Sequence, residues 1–333
     1  MQQAETYVVG LDLGGTKIAA GLFDARGVLI GREQLETGKG GTARELVTRM
    51  NGMIRSVAGG KPLAGVGLAS PGAVDSRKGI ALNGTNLPEW NGVPLKEWME
   101  AELRTEVQVV NDANAAAWGE FVRGAGRGST NMVYITFSTG IGAGLVLDGR
   151  LFLGSHSFAG ELGHTVVDPA GPVCSCGRRG CWETFASGTA IRNEALRRLA
   201  QQTSLIAEIA DEQGESLSAK HVFEAVRRGD RVAGEVFERT VHYMALGLSN
   251  IVHAYNPDVL VIGGGVSRAG ELLLSAVRTR TEQYVMAPYR GTYRITGAEL
   301  GDDAGLIGAA ALFQDAGSGA IEAQPAVEAG GTA

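Results

Sequence analysis

LDLGGTKIAAGL (residues 11–22) and FSTGIGAGL (residues 137–145) each set small residues between two apolar stretches. A chain that leaves one short strand, turns on glycine and enters another gives this pattern, because glycine closes a tight turn without a Cβ clash. Around the first copy, the runs 7–11, 17–23 and 28–35 are rich in β-formers. They are divided by Gly14-Gly15 and by Ala25-Arg26-Gly27, which predicts a three-stranded meander. A helix over 42–57 follows, with Leu46, Met50, Met53, Ile54 and Val57 near a 3.6 period, then a buried strand over 64–69. A helix at 94–103, a strand at 107–110 and a helix from Ala113 complete a βββαβαβα unit. From Asn131 the pattern restarts with strands at 132–137, 143–147 and 150–152, and two related glycine hairpins read as an internal duplication. Helices are expected at 189–199, 204–212, 218–228 and 230–253, with Ser218 and Asp230 as N-caps. A strand at 259–262, a Gly263-Gly264-Gly265 turn, a helix at 271–281, a strand at 293–296 and a helix at 304–313 close the pattern, and the small polar residues from about Asp315 are expected to fray.

At 333 residues the chain has the length of about two domains. Its 50 glycines are about twice the usual share without a collagen period, so they serve turns and close backbone approach. The 30 basic and 36 acidic residues leave a net charge of −6, and no run of Lys or Arg is long enough to track phosphates. Nucleic acid and anionic membrane are thereby disfavoured as partners. Apolar stretches such as 259–262 fall far short of the roughly 18 residues that span a bilayer, and the first residues carry Glu5 and no basic leader, so a cytoplasmic protein is expected. All three cysteines fall between 174 and 181, too few and too close for a disulfide framework and well placed for a metal.

Glycine turns admit anions because their N–H groups approach without a Cβ in the way. Neither turn is a Walker loop, and Gly140-Ile141-Gly142-Ala143-Gly144 leads into a strand, unlike a dinucleotide fingerprint. Two related hairpins suit a phosphate-rich nucleotide, with Thr16 and Thr139 as hydroxyl donors, Lys17 as charge partner and Asp12 positioning Mg²⁺ through water. The competing reading is that Asp12 and Lys17 only stabilise their turn. His164, Cys174, Cys176 and Cys181 supply the donor set of a closed tetrahedral zinc site, which has no open position and is therefore structural. Glu161 and Glu183 flank this set. Taken singly they read as surface acids; held together on a rigid scaffold they suit a polyhydroxylated ligand. Asn111-Asp112 stands where a strand gives way to a helix. Position alone favours Asp112 as an N-cap, with a general base at the strand's carboxyl end as the rival.

The motifs D12LGGTK17, S70PG72, N111D112, T139GIG142, E161LGH164, C174SCGRRGCWE183 and G263GG265 occur in the order seen in ROK-family sugar kinases, which the chain resembles from about Tyr7 to Phe313. Glu-x-Gly-His followed by Cys-x-Cys-Gly-x-x-Gly-Cys-x-Glu is the specific part. The likeness is greatest to the bacterial glucokinases of that family. It implies an α/β, actin-like (ribonuclease H-like) duplicated ATPase fold of two domains flanking a cleft. The small domain would be 1–115 plus a returning helix at 302–315, and the large one 116–301 with a zinc module at 156–185. It implies ATP as phosphoryl donor, though polyphosphate is an alternative, together with Mg²⁺ and a structural Zn²⁺. Asp12, Gly14, Gly15, Thr16 and Lys17 resemble the first phosphate loop, Thr139, Gly140 and Gly142 the second, and Gly263, Gly264 and Gly265 the adenosine turn. Asn86, Asn111, Glu161, His164 and Glu183 resemble the sugar ligands, and Asp112, expected to be buried, the base that takes the proton of the 6-hydroxyl. His164 would hold zinc through one ring nitrogen and touch sugar through the other. Ser138 and Ala143 stand where the family often has glycine. A homo-oligomer, dimer or tetramer, is also implied. N-acetylglucosamine, N-acetylmannosamine, fructose and mannose remain alternative substrates. The family's DNA-binding, sugar-sensing regulators are disfavoured because the first strand begins by Tyr7.

Overall fold

The computed structural model describes residues 6–38, 40–84 and 90–314; Asn86 and the expected tail at 316–333 lie outside them. The chain divides into two compact units, Met1–Gly128 with Gly144–Gly160 and Asp302–Ala333, and Ser129–Ala143 with Glu161–Gly301. In order, the first set of elements is β1 (Tyr7–Leu13), β2 (Lys17–Phe23), β3 (Leu29–Glu36), α1 (Ala43–Ala58), β4 (Leu63–Ser70), β5 (Ala73–Asp75), β6 (Ile80–Asn83), α2 (Leu95–Leu103), β7 (Val107–Asn111) and α3 (Asp112–Arg123). After these come β8 (Met132–Phe137), β9 (Ile141–Leu147), β10 (Arg150–Leu151), α4 (Glu183–Ala186), α5 (Gly188–Leu199), α6 (Leu205–Gln213), α7 (Ala219–Arg227) and α8 (Arg231–Tyr255). The chain closes with β11 (Val259–Gly263), α9 (Glu271–Tyr284), β12 (Arg294–Gly297) and α10 (Ala304–Gln314).

The duplication is visible in the topology. One five-stranded sheet has the order β3-β2-β1-β4-β7 and the other β10-β9-β8-β11-β12, so each meander supplies three strands and two parallel strands extend it. In the first sheet β1 runs antiparallel to β2 and parallel to β4. In the second, β8 and β12 both run parallel to β11. Ser218 and Asp230 do open α7 and α8, and the Asp230 carboxylate accepts from the Ala233 N–H at 2.7 Å. The β5–β6 hairpin is an addition to the expected order. Strands of three and four residues are too short for an alternating pattern to stand out.

Alternation along β1 sorts the first unit's core. Val9, Leu11 and Leu13 join Val47, Met50 and Ile54 of α1 on one face, while Val8 joins Leu306 and Ala310 of α10 on the other. Helix α1 begins with a capping box between Thr42 and Glu45 and ends on left-handed Gly59. An internal Gly52 costs it about 1 kcal/mol. Val47, Met50 and Ile54, fully buried, each contribute about 1.5–3 kcal/mol, so burial outweighs propensity in holding the helix.

Glycines in the middle of strands seat α10. Gly21, Gly10 and Gly67 lie side by side on β2, β1 and β4. A Cβ at Gly10 would come within 2.3 Å of the Leu306 carbonyl oxygen, and one at Gly67 within 1.8 Å of that of Ala309. The opposite flank is equally close, because a Cβ at Gly308 would lie 1.7 Å from the Ala115 oxygen of α3. Backbone, unlike the tip of a side chain, cannot swing aside. Gly67→Val should therefore cost about 3 kcal/mol or more, the upper range for overpacking, read as a fall in the urea midpoint with an unchanged slope. Gly52→Ala, where a Cβ meets nothing, should be neutral or stabilising.

Candidate active site and metal centre

The first glycine turn is a compact hairpin end. The Gly14 N–H donates to the Lys17 carbonyl at 2.9 Å, while Thr37 donates its N–H to the Thr16 carbonyl at 2.9 Å and its hydroxyl to that of Gly14 at 2.7 Å. Both hydrogen bonds from Thr37 grip the turn from behind and leave Gly15, Thr16 and Lys17 exposed. Asp12 sits at the end of β1 on the α10 face, where a Cβ on Gly305 would lie 3.2 Å from its carboxyl carbon.

At the end of β7 the cap is Asn111, not Asp112. The Asn111 side-chain oxygen accepts from the N–H groups of Ala113 at 2.9 Å and Asn114 at 3.2 Å, and its amide donates to the Gly72 carbonyl at 3.0 Å. With the capping task taken by its neighbour, Asp112 becomes the first residue of α3, and its Oδ1 accepts from the Ala113 N–H at 2.8 Å. The expectation that Asp112 is buried is also corrected. It is exposed, although Ala113, Asn114 and Ala115, the rest of the first turn of α3, are buried.

Asp12 feels the charge of Asp112. The Asp12 carboxyl is pushed up to about 6, first by burial, then by the negative charge of Asp112 and, more weakly, Asp303, with Lys17 pulling the other way. Asp303, held by Arg32 at 2.8 Å, is a member of this acidic group that sequence reasoning missed; an acid preceding an apolar helix carries no periodic signal. Because folded Asp12 holds its proton more tightly than the unfolded chain, it favours folding below its ordinary pKa of 3.8, and this benefit is lost as pH rises through about 6. Asp12→Asn should therefore raise stability at pH 8 by about 2 kcal/mol at most, allowing 1.36 kcal/mol per pKa unit and some remaining solvent contact, and should leave it unchanged at pH 4. Denaturation at the two pH values checks this.

In the second unit, His164, Cys174, Cys176 and Cys181 place their ligand atoms within 4.8 Å of one another. Tetrahedral zinc, with bonds of about 2.3 Å to sulfur and 2.0 Å to nitrogen, sets two sulfurs about 3.8 Å apart and a sulfur and nitrogen about 3.6 Å apart. Cys176 and Cys181 have their sulfurs 3.6 Å apart, and the Cys174 sulfur is 3.5 Å from His164 Nδ1. The residues fit the metal, whereas a disulfide needs about 2.05 Å between sulfurs. Local backbone shapes the knuckle: Cys174 N–H donates to the Arg178 carbonyl at 2.7 Å, and Gly177 and Gly180 take φ of +86° and +75°. Burial pushes the Cys181 thiol well up, while hydrogen bonds from Arg178 pull the exposed Cys176 thiol down. A cation among them would offset the cost at Cys181. His164 turns Nδ1 to the cysteines and leaves Nε2 3.9 Å from Glu161, whose side chain is exposed. Trp182, next in sequence to Cys181, anchors the module: its indole N–H donates to the Tyr243 carbonyl at 2.6 Å and its ring meets Phe137 edge-on at 5.3 Å.

The second glycine turn lies in this unit too. Ser138 and Thr139 are exposed at its tip, Ala143 is buried in β9, and the Ser138 N–H donates to the Gly140 carbonyl at 2.9 Å. Glu183 reaches the turn, its Oε2 accepting from the Ile141 N–H at 2.9 Å, a bond that no sequence spacing announces. Gly264, with φ of +83°, passes so near the end of β8 that a Cβ there would lie 2.4 Å from the Phe137 carbonyl oxygen, which brings Gly263–Gly265 beside the second turn. Thus Asp12, Gly14–Lys17, Asn111 and Asp112 gather in the first unit, and Thr139–Gly142, Glu161, His164, Glu183, the cysteines and Gly263–Gly265 in the second.

A model of the ROK family matches residues 8–316. The glucokinase of Thermotoga maritima is 38% identical over 311 residues, spanning 92% of this chain and 97% of that one. An N-acetylmannosamine kinase of Yersinia pseudotuberculosis is 34% identical over 304 residues, 91% and 96% of the two chains. Among solved structures, a ROK family glucokinase from Streptomyces griseus in complex with glucose and AMPPNP matches with a TM-score of 0.78 at 35% identity, over 92% of this chain and 98% of that one. The α/β fold, with its two sheets of repeated order, is the actin-like fold of the ROK sugar kinases. By a family match that spans nearly the whole of its length, the chain belongs to the ROK family.

Proposed function

We propose that the protein is an ATP-dependent hexokinase that phosphorylates glucose on its 6-hydroxyl to give glucose 6-phosphate. The observation that carries this reading is Asp112, a solvent-accessible carboxylate presented on the first turn of a helix that Asn111 caps, close enough for its charge to push up the carboxyl of Asp12. Asp112 accepts the proton of the 6-hydroxyl as its oxygen bonds to the γ-phosphorus and the bond to ADP breaks. Gly15, Thr16 and Lys17 and, in the second turn, Thr139, Gly140 and Gly142 offer N–H, hydroxyl and ammonium donors to the phosphates, while Gly14, its N–H spent on the Lys17 carbonyl, shapes the first turn, and Gly263–Gly265 gives the nucleoside a side-chain-free approach. Asp12 would be the carboxylate that holds Mg²⁺, a cation that would supply charge neutralisation on the phosphates. Asn111, Glu161, His164 and Glu183 bind sugar hydroxyls, with Asn111 offering the amide hydrogen not committed to Gly72. His164 and the three cysteines would hold zinc with no open position, as a structural ion.

The N-acetylmannosamine kinase relative supports a second reading, a kinase for another hexose. Among the described residues no helix is long and apolar enough to cross a membrane. A cytoplasmic location and a homodimer or homotetramer complete the proposal on the family likeness. A panel of glucose, mannose, fructose, N-acetylglucosamine and N-acetylmannosamine with ATP and Mg²⁺ tests it. Glucose is expected to give the highest kcat/KM; preference for another sugar would move the assignment to the second reading, and turnover of none would end it.

A further inference from the structure

The contacts of Glu183 go beyond what binding a sugar requires. Its half-buried carboxylate stands at the start of α4, two residues after the metal ligand Cys181, and its Oε2 is 2.9 Å from the Ile141 N–H. A carboxylate on a backbone N–H makes a charge-assisted bond, about twice as strong as a neutral one. The adjoining glycine is fitted to it. A Cβ at Gly140 would lie 2.3 Å from Glu183 Oε2, and Gly140 does not have the positive φ that would itself require glycine. Gly140 therefore makes room for this carboxylate. The same turn is fastened at two further points from the segment around the cysteine cluster. The Gly188 N–H donates to the Ser138 carbonyl at 2.7 Å, and Gly163, beside His164, packs so closely that a Cβ there would lie 2.2 Å from the Ile141 oxygen. Of these three fastenings, only the one from Glu183 is made by a side chain.

We infer that Glu183 is a positioning residue for the phosphate-binding turn: by holding the Ile141 N–H it fixes the backbone of Thr139–Gly142 for the nucleotide's phosphates, separately from any contact it makes with sugar. The inference rests on the kinase reading and deepens it. One carboxylate then serves both substrates, Oε2 committed to the turn and Oε1, 3.9 Å from the Cys174 sulfur, facing the sugar in the kinase reading, so damage to Glu183 reaches the nucleotide although Glu183 need not touch it.

The test is direct titration of the full-length, zinc-loaded protein with AMPPNP and Mg²⁺ in the absence of sugar, and separately with glucose in the absence of nucleotide. Wild type, Glu183→Ala and Glu183→Gln are compared, with zinc content and thermal unfolding confirming that each is folded. Glu183→Ala should weaken AMPPNP about tenfold or more, the equivalent of one hydrogen bond to a charged group. Glu183→Gln, whose amide oxygen still accepts from Ile141, should bind AMPPNP within about threefold of wild type, since a neutral bond keeps about half the strength. A residue that served sugar alone would shift glucose binding and leave AMPPNP untouched in Glu183→Ala, and that result overturns the inference. Should the alanine variant not fold, Glu183→Asp keeps the charge but withdraws it by one methylene, and the same loss is expected. Failure of the wild type to bind AMPPNP would remove the kinase reading instead, so the two failures are told apart.

Discussion

Asp112→Asn should lower kcat by about 10²- to 10⁴-fold, the usual contribution of a positioned proton acceptor, while glucose affinity changes by less than about tenfold. Asparagine keeps the shape and can still accept a hydrogen bond, so the sugar's hydroxyl still has a partner in the ground state. What is lost is the group that takes the proton as the oxygen attacks. The fold should survive the change. The cap of α3 comes from Asn111, Asp112 is exposed, and asparagine keeps an oxygen for the Ala113 N–H. The substitution also removes one of the charges that pushes Asp12 up, so Asp12 should ionise at lower pH in this variant. Steady-state kinetics beside calorimetric glucose binding separates the two effects. Equal losses in kcat and in affinity would make Asp112 a sugar ligand and not the base.

Loss of the metal should have the second large effect. Structural zinc binds with about 10–16 kcal/mol, as much as or more than the 5–15 kcal/mol that holds a whole domain together. Apart from its turn hydrogen bonds and the Arg178 bond to the His164 carbonyl, the knuckle buries little, because Ser175, Cys176, Gly177, Arg178 and Arg179 are all exposed. Cys181→Ser, at a fully buried ligand, or removal of zinc by a strong chelator should therefore free the segment around residues 161–186. Trp182 and Glu183 would go with it, and with them the edge contact to Phe137 and the bond to Ile141. The expected outcome is protease cleavage within that segment, a fall in turnover of at least about 100-fold, and retention of the α-helical signal from the remainder. Limited proteolysis and metal analysis on the same samples check it. Metal-free protein with wild-type turnover and protease resistance would show that the cysteines do not need a cation.

Much of this was legible in the sequence where the signal was local. The two glycine hairpins announced both meanders, and the resulting strand orders are the same. The four metal donors were readable because a closed zinc site demands particular atoms at short spacing, and the structure sets them at zinc distances. What escaped depends on neighbours far apart in the chain or on choices between adjacent residues. Asn111 and Asp112 are both good caps, and only the backbone turn at Gly72, which receives the Asn111 amide, decides between them. Glycines inside β1 and β4 look like weak points in a strand until α10, more than 200 residues later, is found lying on them. Gly140 read as a phosphate-approach glycine, and its tight fit to Glu183 is a contact between segments that no periodicity encodes.

Identifying the product is the most direct test of the account. Wild-type protein incubated with glucose, ATP and Mg²⁺ should give, by phosphorus and carbon NMR, a single phosphomonoester on the sugar's primary hydroxyl with one ADP formed per ester, and Asp112→Asn should give almost none in the same time. Phosphate on another hydroxyl, ADP without sugar ester, or undiminished product from the Asp112→Asn protein would contradict it.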